Sequence, residues 1–291
     1  MKWLITGANG QLGKTLTNML RAKGLEVNSM ARESLDISDL DEINDVIKSI
    51  RPDILVNCAA WNDVDGAETN IEGAFRTNAT GAQNIARATN SLGIRLIHIS
   101  TDFVFGADNK EIYSEEDPPS PVNVYGSSKA QGEKLVFLEN PEAVILRASW
   151  LYSSYGKNFP KAIIRKLITD ESRLDVVNDQ IGQPTSCLSL SNTILNIAQT
   201  PDIKGVVHGS SAGSVSRSVF AQSIAAAIGT SPDRIRPITS DSVDLPANRP
   251  NRSVLGHDKH ESFGIAKPSS WEIDLQLNIE EILKQVEMEL K

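Results

Sequence analysis

Up to residue 149, short apolar runs alternate with helical patterns. Lys2–Thr6 is a short apolar strand, followed by a glycine-rich turn and a helical stretch to about Lys23, where Gly24 stops it. Glu26–Met30 is the next strand. Ser38 with Asp41 reads as a capping box, and Leu40, Ile43, Ile47 and Ile50 follow at helical spacing. Arg51-Pro52-Asp53 breaks that helix before a buried strand at Ile54–Cys58. A helical region from Ala67 to Ser91 leads to strands at Ile94–Ser100 and Ala143–Ser149. This alternation predicts βαβ units and a Rossmann-like, doubly wound parallel sheet, with ligands beyond the carboxyl ends of the strands.

After Ser149 the rhythm loosens. Helical patterns fall at Phe159–Thr169, Leu190–Gln199 and Val219–Ile228, and shorter strands at Leu174–Val177 and Val206–Gly209. A last helix is expected over Asn278–Leu290. The reading is a dinucleotide-binding unit over 1–149 and a smaller substrate-binding lobe over 150–291. The strand at 206–209 is a candidate to rejoin the main sheet.

Composition narrows the class. The 291 residues are 40% hydrophobic and 23% charged, as in ordinary soluble domains, and no apolar run is long enough to span a membrane. MKWLITGANG does not read as a secretory signal. Two cysteines, Cys58 and Cys187, fit a reducing cytoplasm better than a disulfide framework. The net charge of -8 argues against a nucleic-acid partner, which asks for a basic face. A small anion held in one local basic pocket remains compatible with it.

Chemistry enters at the first turn, Gly7-Ala-Asn9-Gly10-Gln11-Leu12-Gly13. Glycines three apart, between a strand and a helix, permit a tight turn, a close diphosphate and close helix packing. The helix start offers free N–H groups to the anion. Near the end of the second strand, where NAD sites carry an acidic residue, stands Arg32, with Glu33 after it. An arginine there suits the 2′-phosphate of NADP(H), with NADH the alternative.

A second constellation is Tyr125-Gly-Ser-Ser-Lys129. Ketone reduction needs a proton donor beside the hydride donor. A tyrosine keeps its proton at neutral pH, and a lysine on the same helix face stabilises the phenolate it leaves. Thr101, after the fourth predicted strand, is a hydroxyl donor to the same carbonyl oxygen.

With these residues in place the chain resembles the extended short-chain dehydrogenase/reductase superfamily, and within it the dTDP-4-dehydrorhamnose reductase family. The likeness spans nearly the whole chain. Its particular marks are Ser100-Thr-Asp-Phe-Val-Phe105, Arg147-Ala-Ser-Trp150 and Asp179-Gln-x-Gly-x-Pro-Thr185. The resemblance implies NADPH-dependent reduction of the C4 ketone of a dTDP-6-deoxy-4-keto-hexose, by a monomer or homodimer. Thr101, Tyr125 and Lys129 would be catalytic. Asp36 and Ile37 would border the adenine, Ala59 and Ala60 would line the cofactor, and Asn78 would support a proton path beside the lysine. Asp102 and Trp150 match sugar-contacting positions, with Asn62 and Val64 on the neighbouring loop.

Two departures from the family pattern bear on the substrate. Trp61-Asn62-Asp63 replaces the usual Tyr-Thr-Ala, placing a carboxylate and a larger ring in the loop facing the sugar. Arg252 is an extra arginine, open to a diphosphate or to solvent. No metal is expected: the first helix starts Lys14-Thr15, and His257 and His260 lack a cysteine partner. The alternatives are a reductase of a different NDP-4-keto-sugar and a non-catalytic NADP-binding regulatory subunit.

Overall fold

The computed structural model covers all 291 residues. Six parallel strands form the central sheet: β1 (Lys2–Thr6), β2 (Glu26–Met30), β3 (Ile54–Asn57), β4 (Arg95–Thr101), β5 (Val144–Ala148) and β6 (Gly205–His208). Their spatial order is β6-β5-β4-β3-β1-β2. The long helices are α1 (Gln11–Ala22), α2 (Leu40–Ile50), α3 (Ala82–Ser91), α4 (Val124–Glu139), α5 (Phe159–Thr169), α6 (Cys187–Gln199), α7 (Arg217–Ala227) and α8 (Trp271–Leu290).

Strand pleating sends alternate residues to opposite faces. Trp3, Ile5, Val56 and Ile97 pack toward α1 and α6, whereas Leu4, Leu55, Leu96 and Ile145 pack toward α2, α3 and α4. The chain steps outward from β1 to β2 and then places β3 on the other side of β1. This reversal opens a crevice at the carboxyl ends of β1 and β3, the usual ligand position in such sheets.

The second lobe has its own core, including Tyr152, Ile164, Phe220, Trp271 and Ile282. The division at 149/150 cuts the chain but not the core. β6 rejoins the sheet beside β5, and Leu190, Ile194 and Ile197 of α6 pack in the same cluster as Leu12, Leu16 and Leu20 of α1. β6 covers what would otherwise be an open edge of β5. No helix is long and apolar enough to cross a membrane.

Two local readings change. The cap of α2 is Asp39, whose carboxylate accepts from the N–H groups of Asp41 and Glu42, not a Ser38–Asp41 box. Ser38 instead donates to Asp36. α8 starts at Trp271 rather than Asn278, because Trp271 and Leu275 continue the buried stripe of Ile279, Ile282 and Val286. The polar Gln276 and Asn278 hide that continuity in the sequence.

Candidate active site

The glycine turn closes directly onto β3. Gly7 has φ 64°, and a Cβ there would sit 2.6 Å from the Ala59 nitrogen; one on Gly13 would sit 2.4 Å from the Gly7 carbonyl oxygen. Real side chains do not fit at such distances, so these positions require glycine. Thr6 Oγ1 donates to Asn57 Oδ1 at 2.6 Å, tying the two strand ends together. No side chain caps the start of α1 at Gly10, which leaves its first N–H groups open to the cleft.

Two cavities meet here. One, of about 460 Å³, is bordered by Gly7, Asn9, Gly10, Arg32, Asp36 and Ile37 on one side and by Ala59 and Ala60 on the other. The second, of about 360 Å³, holds Gln11, Leu12, Gly13, Asn62 and Val64 together with Thr101, Asp102, Tyr125, Lys129 and Trp150. Gly10, Cys58, Ala60 and Asn62 border both, so they form one continuous cleft. In the first half, Ser38 holds the Asp36 carboxyl below its usual range through its backbone N–H and hydroxyl.

Thr101 ends β4, Tyr125 lies in the first turn of α4, and Lys129 follows one turn later. Asn123 caps α4 by accepting from the Gly126 N–H at 2.7 Å. Phe103 meets the Tyr125 ring edge-on, with centroids 5.7 Å apart. Burial pushes the Tyr125 hydroxyl up to about 12, opposed by the neighbouring Thr101 hydroxyl. Lys129 Nζ donates to the Ile99 carbonyl at 2.7 Å, and burial lowers its pKa to about 8, opposed by the Glu133 carboxylate. The pair therefore joins a tyrosine that stays protonated to a lysine poised near neutral pH.

A pH signature follows. A reaction that needs the Lys129 ammonium loses kcat/KM as pH rises through about 8. Stability moves the other way. Between about 8 and the ordinary lysine value of 10.5, the unfolded chain keeps a proton that the folded chain has released, so this group makes stability rise with pH. Rate profiles beside denaturant midpoints of wild type and Lys129→Met check both trends; activity flat to pH 10 contradicts the assignment.

Behind the trio lies a buried ion pair. Arg147 donates to both Glu133 oxygens, at 2.9 and 2.7 Å, and Ser100 donates to Glu133 Oε1 at 2.6 Å. The Asp102 carboxyl is raised by burial and accepts from the hydroxyls of Ser149, Ser253 and Thr101. The run Asp179–Thr185 acts largely as scaffold: Gln183 donates to the Ser211 and Leu255 carbonyls and accepts from the Leu255 N–H and the Ser210 hydroxyl.

Asn78 lies in a π-helical stretch, Arg76–Gly81, and does not line the cleft. Its amide accepts from the Trp61 N–H at 2.8 Å and donates to the Trp61 carbonyl and the Ser128 hydroxyl. It thus fastens the Trp61 loop to α4. In that loop the Asp63 carboxylate accepts from Gly66 N–H and caps the helix Val64–Thr69, which leaves Asn62 as the group turned to both cavities.

Arg252 is not among the residues lining the cleft; its Nε donates to the Glu111 carbonyl at 2.9 Å. The arginine that lines the catalytic half is Arg217, at the start of α7, which no motif marks. Its guanidinium carbon lies 3.6 Å from the centroid of the Trp150 ring. The indole face expected to meet a sugar thus already carries a cation. His257 and His260 pack edge-on at 5.5 Å, with Nε2 of His257 and both ring nitrogens of His260 engaged with backbone carbonyls.

Residues 1–284 match the family model for the RmlD substrate binding domain. A probable dTDP-4,6-dihydroxy-2-methyloxan-3-one 4-ketoreductase of Streptomyces antibioticus is 36% identical over 97% of this chain and 96% of its own length. A dTDP-4-dehydrorhamnose reductase of Mycobacterium tuberculosis is 37% identical over 92% of this chain and 89% of its own. Among solved structures, a dTDP-4-dehydrorhamnose reductase of Bacillus anthracis in complex with NADP is 36% identical, with a TM-score of 0.90 over 96% of this chain and 99% of its own.

Proposed function

This chain belongs to the RmlD substrate binding domain family, and on that premise we propose that it is an NADPH-dependent reductase of the C4 ketone of a dTDP-6-deoxy-4-keto-hexose. The substrate is dTDP-4-dehydro-L-rhamnose and the product dTDP-L-rhamnose. The observation that carries this reading is the convergence of Thr101, Tyr125 and Lys129 on the cleft that begins at the Gly7–Gly13 turn.

The bare glycine turn, the uncapped start of α1 and the small Ala59 and Ala60 fit a dinucleotide. Asp36 and Ile37 border its adenine end, and Arg32 stands in the same half of the cleft to receive a 2′-phosphate. NADPH, when bound, supplies the hydride to C4. Tyr125 gives its proton to the O4 oxygen, with the Thr101 hydroxyl turning from Asp102 to donate a hydrogen bond to that oxygen. The Lys129 ammonium stabilises the resulting phenolate until solvent returns a proton. Asp102 and Asn62 hold sugar hydroxyls.

Incubation with the keto-sugar nucleotide and NADPH consumes the reduced cofactor. Folded protein that binds NADPH and turns over no ketone overturns the reading. Arg32→Ala raises the KM for NADPH by about 10- to 100-fold and leaves that for NADH nearly unchanged, since only NADPH carries the phosphate. Equal effects on both cofactors remove Arg32 from this role.

Reduction of a different NDP-4-keto-sugar is favoured by one feature, the Trp61-Asn62-Asp63 loop, in which Asn62 faces the cleft. NMR of the product distinguishes the two sugars. The complete Thr101–Tyr125–Lys129 set speaks against a purely regulatory, non-catalytic subunit.

A further inference from the structure

We propose that Arg217 holds the diphosphate of the sugar nucleotide, with the face of Trp150 positioning its guanidinium. The assignment rests on the sugar-nucleotide reading above. It starts from a charge without a partner. The side chain of Arg217 lines the catalytic half of the cleft, stacks 3.6 Å from the Trp150 centroid and lies 5.2 Å from that of Phe159. Lys129 and Arg249, by contrast, are engaged: with the Ile99 carbonyl and, at 2.7 Å for each oxygen, with the Asp65 carboxylate. Asp102, the acidic neighbour of Arg217, already accepts from three hydroxyls.

Helix stability does not explain an arginine here. Arg217 is the first residue of α7, whose first turn holds no acidic residue. A cation at a helix N-terminus opposes the macrodipole. An arginine is also hard to discharge, and burial takes this one only down to about 10. It therefore remains a cation, its planar fork matched to phosphate oxygens and its face flat on an indole.

The Trp150 platform is built at a cost. Its backbone is in the left-handed region at φ 46°, unfavourable for a residue with a Cβ. Gly182 makes room for the ring: a Cβ there would lie 2.5 Å from Trp150 Cε2. Backbone strain at a residue that lines the cleft and stacks on an unpaired guanidinium is accounted for by a ligand that needs both.

The test compares dTDP with thymidine by titration against wild type, Arg217→Ala and Arg217→Lys, with NADPH affinity confirming the fold of each. Arg217→Ala weakens dTDP by roughly 10- to 100-fold while thymidine changes little, and Arg217→Lys falls between. Unchanged dTDP affinity in Arg217→Ala, or equal losses for dTDP and thymidine, overturns the assignment and leaves the reductase reading intact. Wild type that turns over no keto-sugar nucleotide and binds no dTDP overturns that reading first, and this assignment with it.

Discussion

Tyr125→Phe lowers kcat by roughly two to four orders of magnitude and leaves NADPH affinity close to that of wild type. The substitution removes one hydroxyl. The ring stays buried against the edge of Phe103, and Asn123 still caps α4. What disappears is the proton that the proposed reaction gives to the carbonyl oxygen. No neighbour replaces it well: Thr101 is a far weaker acid, and Lys129 is held by the Ile99 carbonyl. Single-turnover measurement with NADPH isolates this step from product release. A rate within a few-fold of wild type contradicts the assignment of Tyr125 as the acid.

Glu133→Gln destabilises the fold by about 3–5 kcal/mol, because it leaves Arg147 as a buried charge without its counter-ion. Both side chains are nearly inaccessible, at 5% and 2% exposure, and they meet through two parallel hydrogen bonds. The Phe105 ring and His208, whose imidazole burial keeps neutral, also lie against Arg147; neither balances a cation. For a chain of this size the loss corresponds to a fall in Tm of roughly 5–8 °C. Replacing both partners, Glu133→Leu with Arg147→Met, recovers most of it, since the cost lies in the uncompensated ion rather than in the missing pair. A Glu133→Gln protein that melts within a degree of wild type shows that the pair is not what holds β5 to α4. The same variant also removes the carboxylate that opposes the fall in the Lys129 pKa, so its alkaline activity limb moves to lower pH.

Much of the cofactor side was legible from the residues. The strand–glycine turn–helix unit is a local pattern, and its spacing carries its geometry. β1, β2, α5 and the strand Leu174–Val177 fall on the residues that periodicity indicated. Tyr125 and Lys129 share a helix face because of their spacing alone. Structure and sequence pattern diverge where a polar residue interrupts a buried stripe, as in the first turns of α8, or where two adjacent residues compete for a cap, as Ser38 and Asp39 do.

The glycine turn, the individual strands and the tyrosine–lysine spacing follow from residues close together in the chain and are written in the sequence, whereas the strands pair across tens of residues, as Trp3 does with Ile54. Folding in three dimensions sets which polar groups the cleft collects from distant segments. Ser253 reaches Asp102 across 151 residues, α7 lays Arg217 on Trp150, and Arg252 is drawn away to the Glu111 carbonyl. The second lobe packs on its own core at the carboxyl ends of the strands, and that packing brings those segments together. Periodicity records which face of a segment is buried, but not which neighbour buries it, so an arginine at an unremarkable helix start is seen to line the cleft only in the folded chain.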